Sequence, residues 1–166
     1  MAIDEELIAL AREVGAACRS SGLTLATAES CTGGLVAHLI TEIPGSSAYF
    51  LGALVTYADA VKVDLAGVPE ATLAAHGAVS AQVAVAMAEG TRQRLGADIV
   101  VAITGIAGPD GGSEEKPVGL TYIAVADSEG HDVRRQVWDE DRAGNKRASA
   151  ASALAMVVER LAVHAR

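Results

Sequence analysis

Apolar residues recur at Ile3, Leu7, Leu10, Val14 and Cys18, a spacing of three to four that predicts a helix stopped by Ser20-Ser21-Gly22. A short strand, "LTLATA" (23–28), leads into the polar stretch "ESCTGG" (29–34). "GLVAHLITEI" (34–43) reads as a helix ended by Pro44-Gly45, and "AYFLGALVTY" (48–57) as a buried strand. "ADAVKVDLAG" (58–67) reads as a short helix and "PEATLAAHG" (69–77) as a helical fragment. "SAQVAVAMAEGTRQRLG" (80–96) is a longer amphipathic helix capped by Ser80. "DIVVAITG" (98–105) is the clearest strand, a continuous apolar run between turn signals. After it the pattern lapses into "IAGPDGGSEEKP" (106–117), a Gly- and Pro-rich loop. The chain closes with strands over 118–126 and 132–140 and a helix from about Arg142 to the C-terminus.

Strands alternating with helices predict an α/β layered fold. The tight turn "DSEGH" (127–131) makes the last two strands a hairpin, so the sheet is expected to be mixed. No repeat, linker or low-complexity segment divides residues 1–166, and one domain is expected at that length. The loop at 106–117 is long for a compact domain, where such loops are usually functional.

Composition refines this picture. Apolar residues make up 51% of the chain but aromatics only 3%, so the core must be built from Ala, Val, Leu and Ile. A formal net charge of −8 repels phosphate backbones and argues against broad nucleic-acid binding. A small anionic ligand stays compatible if basic residues gather locally. The two cysteines, Cys18 and Cys31, have no metal-ligand spacing and fit reduced thiols in a cytoplasmic protein. The acidic start "MAIDEELIAL" is unlike a signal peptide, and no apolar run approaches the roughly 20 residues that span a bilayer. Neither a membrane partner nor a nucleic-acid partner is expected, and no metal or other cofactor is called for by any ligand cluster.

The chemistry concentrates where strands end. "TAESCTGG" (27–34) puts a carboxylate, a hydroxyl, a thiol and a second hydroxyl in succession at the start of a helix. Its backbone N–H groups suit an anion or an oxyanion, yet Ser30 and Thr32 are also ordinary helix caps. Cys31 gains nucleophilicity at a helix start. None of the four histidines (His38, His76, His131, His164) is placed to serve it as a base. A lysine is the alternative, because a buried lysine can lose its proton near neutral pH. Lys62 lies on a helix just after a strand, five residues beyond Tyr57. Ser30, Tyr57, Lys62 and Thr104 all fall just past strand ends, which converge on one crevice in an α/β sheet. Lys62 read alone also fits a solvated helix residue. The glycines of "TGIAGPDGG" add backbone donors to the same rim, or else belong to a mobile surface loop. Arg142, Lys146 and Arg147 form a basic cluster suited to a phosphate or carboxylate, or a solvated face.

Six blocks occur in order: "AESCTGGL", "PGSSAYFLGALVTYADAVKVDLAGV", "GAVS", "TGIAGPDGG", "KPVGLTYIA" and "DR" followed by a basic residue. Together they resemble the C-terminal domain of the CinA (competence/damage-inducible) family, including its stand-alone members. The resemblance implies a three-layer α/β/α sandwich with a mixed, mostly parallel sheet, and self-association, a dimer being favoured. It also implies an amidohydrolase that converts nicotinamide mononucleotide to nicotinic acid mononucleotide and ammonia. By motif position Ser30 would be the nucleophile and Lys62 the general base, with Tyr57 and Thr104 supporting them through hydrogen bonds. Cys31, Thr32, Gly33, Gly34, Gly105, Ala107, Gly108 and Gly112 would shape the substrate pocket. Arg142 would bind the nucleotide phosphate, with Lys146 beside it. The family's last block usually reads Gly-Asp-Arg, and here it is Glu140-Asp141-Arg142, which predicts weaker anion binding if Glu140 faces the site. The competing expectation is a nucleotide-binding or interaction module without catalysis, which needs the glycines and basic residues but not Lys62.

Overall fold

The computed structural model describes residues 4–164. Ile3, the first apolar position of the predicted N-terminal helix, and the final residues 165–166 lie outside that range. The elements in chain order are α1 (Glu5–Ser21), β1 (Leu25–Glu29), α2 (Leu35–Thr41), β2 (Phe50–Val55), α3 (Asp59–Asp64), α4 (Glu70–His76), α5 (Ala81–Leu95), β3 (Ile99–Gly105), β4 (Leu120–Asp127), β5 (Gly130–Val137) and α6 (Arg142–His164).

Each long helix carries the chemistry that starts it. The Asp4 side chain accepts from the backbone N–H groups of Glu6 and Leu7 and opens α1, and Gly22 closes it in the left-handed region. The Ser80 hydroxyl accepts from Val83 N–H at 3.2 Å and caps α5.

The five strands lie in the order β2-β1-β3-β4-β5. β1 pairs in parallel with both β2 and β3, while β3–β4 and β4–β5 are antiparallel. Only β4 therefore runs against the other four strands. Alternation along the central strands sets the thickness of the layers. Ile99, Val101, Ile103, Ile123 and Val125 join the core that contains residues of α1, α2 and α6. On the opposite face Ala26, Ala28, Val100, Ala102, Ala124 and Ala126 meet α5 and the segment after α3. Bulky branched residues fill one interface and small ones let α5 approach closely on the other, which builds a core almost without aromatics. The result is an α/β/α sandwich.

One sequence expectation changes. β2 was expected to be buried, but it is an edge strand with Leu51 and Val55 about half exposed. An apolar run records burial propensity and not how many neighbours a strand has.

This topology makes a crevice. β1, β2 and β3 are adjacent and parallel, so their carboxyl ends share one rim. β5 runs the same way and delivers the chain to the start of α6 on that rim.

Candidate active site

Glu29 ends β1 and is fully buried. Its two oxygens accept from the Thr32 hydroxyl (2.7 Å), the Thr27 hydroxyl (3.3 Å) and the backbone N–H groups of Gly34 (3.0 Å), Val36 (3.1 Å) and Ala37 (2.8 Å). A carboxylate thus takes up the N-terminal donors of α2, where the helix dipole favours negative charge. The turn from Ser30 to Gly34 is clamped from beneath as a consequence. Glu29→Gln puts an amide N–H₂ among these donors and should cost about 1–3 kcal/mol, read as a lower urea midpoint.

The clamp revises two readings of the turn. Thr32 is buried with its hydroxyl turned to Glu29, so that hydroxyl holds the turn together and leaves the main-chain N–H as the group Thr32 can offer a ligand. The Gly33 and Gly34 N–H groups are also engaged, with Ser30 O and Glu29 respectively. Among the described residues, the Cys31 and Thr32 N–H groups are the ones in the turn without an oxygen acceptor. Gly33 is exposed, and a Cβ there would lie 3.8 Å from Lys146 Nζ.

Ser30 and Lys62 meet. Lys62 Nζ lies 3.0 Å from Ser30 Oγ and donates to Thr56 O at 2.9 Å and Tyr57 O at 3.1 Å. Lys62 is 1% exposed, so it is not a solvated helix lysine. Burial pushes its pKa down from the usual lysine range, and the Asp59 carboxylate works in the opposite direction. The two carbonyls matter chemically. A neutral amine has two N–H bonds and one lone pair. With both N–H bonds spent on Thr56 and Tyr57, the lone pair is left for the Ser30 hydroxyl.

Cys31 shares the pocket, but burial pushes its thiol up to about 11. A thiol raised that far is protonated near neutral pH. Gly105 explains how the two strands close so tightly here. A Cβ at Gly105 would come within 2.8 Å of Leu120 O and the Thr121 hydroxyl and 3.1 Å of Cys31 Sγ.

Tyr57 and Thr104 lie at the site but act differently from the expectation. The Tyr57 ring is 61% exposed and its hydroxyl meets Arg142 at 3.1 Å, so its link to Lys62 runs through the main-chain carbonyl. The Thr104 hydroxyl donates to Ala78 O at 2.8 Å and ties β3 to the segment before α5. Neither side chain bonds to Ser30 or Lys62.

Ser30, Cys31, Tyr57, Asp59, Lys62, Thr104 and Arg142 line a pocket of about 230 Å³, with Ala78, Val79, Gly105 and Ala107 completing it. Ala107 and Arg142 also line a larger cavity of about 870 Å³. Its other walls are Leu35, Pro109, Val118, Ala143 and the charged residues Glu140, Asp141 and Lys146. Arg142 stands where the two spaces meet, donating to Gly108 O at 2.6 Å. Asn145, buried on α6, donates to Ala107 O at 3.0 Å and accepts from Glu140 N–H through its side-chain oxygen. These bonds pin the 106–117 loop to α6. Lys116 Nζ adds a bond to His76 O at 2.7 Å.

Gly112 lines neither space. A Cβ there would sit 2.8 Å from Val118 N, so it serves the folding of the loop on itself. Arg147 leaves the basic cluster, because it pairs with Asp4 and Glu6 at the start of α1. Glu140 does face the larger cavity beside Arg142 and Lys146, the arrangement expected to weaken anion binding.

The family model for the CinA C-terminal domain matches residues 7–161. The nicotinamide-nucleotide amidohydrolase PncC of Escherichia coli is 51% identical over 91% of this chain and 92% of its own length. A "putative competence-damage inducible protein" of Symbiobacterium thermophilum is 53% identical over 93% of this chain, which spans only 38% of that longer relative. The crystal structure of a competence/damage inducible protein from Agrobacterium tumefaciens superposes with a TM-score of 0.92 at 42% identity, covering 96% of this chain and 98% of that one. With its sheet order, its motif blocks and nearly its whole length accounted for, the chain belongs to the CinA C-terminal domain family.

Proposed function

We propose that the protein is an amidohydrolase acting on nicotinamide mononucleotide through a Ser30–Lys62 pair and a covalent acyl-enzyme. The observation that carries this reading is the threefold environment of Lys62 Nζ, with two carbonyls fixing its protons and Ser30 Oγ at 3.0 Å. The Escherichia coli relative, named a nicotinamide-nucleotide amidohydrolase, supports the substrate.

The carboxamide enters the smaller pocket. Neutral Lys62 takes the Ser30 proton as Oγ attacks the carboxamide carbon. The developing oxyanion is held by the Cys31 and Thr32 N–H groups, the donors that Glu29 leaves unspent. Protonated Lys62 then gives its proton to the departing nitrogen, ammonia leaves, and an ester to Ser30 remains. Water attacks that ester, Lys62 takes the water's proton and returns one to Ser30, and nicotinic acid mononucleotide departs. The ribose and phosphate extend toward the larger cavity, where Arg142 and Lys146 supply positive charge. No step calls for a cofactor. A cytoplasmic, homo-oligomeric enzyme built as one domain is the setting this reading assumes.

Ammonia release from a panel of amides tests the assignment. Nicotinamide mononucleotide should be turned over far faster than free nicotinamide or aliphatic amides, and equal rates would remove the nucleotide from the account. Arg142→Ala sharpens the test. It should raise KM for nicotinamide mononucleotide about ten- to a hundred-fold, since a charge-assisted hydrogen bond contributes roughly 1.5–3 kcal/mol. Nicotinamide riboside, which lacks the phosphate, should be affected much less. Equal losses would make Arg142 the clasp of Tyr57 and Gly108 and nothing more.

A further inference from the structure

Lys62 Nζ faces neutral oxygens on three sides and one carboxylate on the fourth. That carboxylate is Asp59, whose Oδ1 lies 4.0 Å from Nζ across one turn of α3. The other ionisable groups around the lysine are turned elsewhere or uncharged. The Cys31 thiol, from the turn after β1, is protonated near neutral pH. The Tyr57 phenol, from the β2–α3 connection, is turned to the Arg142 guanidinium of α6. Glu29, at the end of β1, is spent on the start of α2. Lys146 lies beyond Gly33 and lines the larger cavity. Asp59 is the one carboxylate among the residues lining the smaller pocket.

We infer that Asp59 is a positioning residue for the reaction: its carboxylate holds the lysinium formed when Lys62 takes the Ser30 proton. The inference rests on the reading of Lys62 as general base. Burial alone lowers the proton affinity of the amine, and a base that binds a proton too weakly cannot draw it from serine. Two carbonyl dipoles offset part of that loss, and Asp59 supplies a full opposite charge 4.0 Å from the amine. Because the Asp59 side chain is 64% exposed, the help is moderate and open to screening.

This arrangement has a signature that a simple helix-start aspartate lacks. Asp59→Asn removes the charge while keeping the shape. The rising limb of the pH–rate profile should then move to lower pH, by roughly 0.5–1 pH unit for a partly screened charge at this distance. The plateau should fall about two- to fivefold, since the lysinium is less well held. The two curves should therefore draw together, or cross, toward acid pH. At 1 M salt, where the screening length is about 3 Å, the wild-type limb should shift the same way and the Asp59→Asn limb should not. Asp59→Glu should recover part of the shift, and matching unfolding midpoints should show that all variants are folded.

The measurement is the pH dependence of kcat for wild type, Asp59→Asn and Asp59→Glu on nicotinamide mononucleotide at low and high salt. A limb present in wild type but unmoved by Asp59→Asn and by salt overturns the role of Asp59 and leaves the dyad standing. A limb absent from wild type, with Lys62→Arg active, overturns the dyad and this inference with it.

Discussion

Ser30→Ala should lower kcat for nicotinamide mononucleotide by on the order of a thousandfold or more, with the fold and substrate affinity retained. The hydroxyl is the atom that forms the ester, so nothing in the pocket replaces it. The fold should survive because, among the described residues, the side-chain partner of Ser30 Oγ is Lys62 Nζ alone. Cys31→Ala should keep most activity, because a thiol held at about 11 is not ionised under assay conditions. Ammonia release and ligand binding measured on both variants check this. A folded Cys31→Ala protein as inactive as Ser30→Ala would move the nucleophile to the neighbouring residue.

Lys62 carries the second large effect. Lys62→Arg should be nearly inactive, since a guanidinium keeps its proton and cannot accept another. In wild type, activity should rise with pH through the depressed lysine pKa, because the protonated amine below it cannot act as base. The same shift has a consequence for stability. With the folded pKa below the unfolded one, the unfolded chain binds more protons between the two values, so stability rises with pH across that window. Below the folded pKa the buried charge costs its full amount. Lys62→Met should remove this rise, which urea midpoints across alkaline pH would reveal. Near-normal turnover by Lys62→Arg would eliminate the lysine as base.

How much of this was legible in the sequence depends on the kind of atom involved. β3 could be read from "DIVVAITG" because a strand buried on both faces is continuously apolar, and α5 from Ser80 because a cap is a local bond. The gathering of Ser30 and Lys62 followed from their places past strand ends, and the place of Arg142 from the basic cluster and a family resemblance. What escaped was set by contacts far apart in sequence or by the main chain. Arg147 joined the basic cluster on spacing alone, whereas its partners Asp4 and Glu6 lie at the other end of the chain. In the sequence Tyr57 stands out for its phenol, but its carbonyl meets Lys62, and every residue has a carbonyl. Glu29 stood in the motif simply as a carboxylate beside two hydroxyls, and the full set of donors converging on it needed the folded turn. Asp59 carried no signal of its own, since an acidic residue at a helix start is ordinary.

The covalent intermediate is the central claim, and peptide mapping of acid-quenched enzyme during turnover tests it most directly. The account predicts an acyl adduct with the mass of the nicotinic acid mononucleotide ester on the peptide bearing Ser30, localised by fragmentation to that serine and absent from Ser30→Ala. An adduct localised to Cys31 instead, or one that persists undiminished in Ser30→Ala, would contradict it.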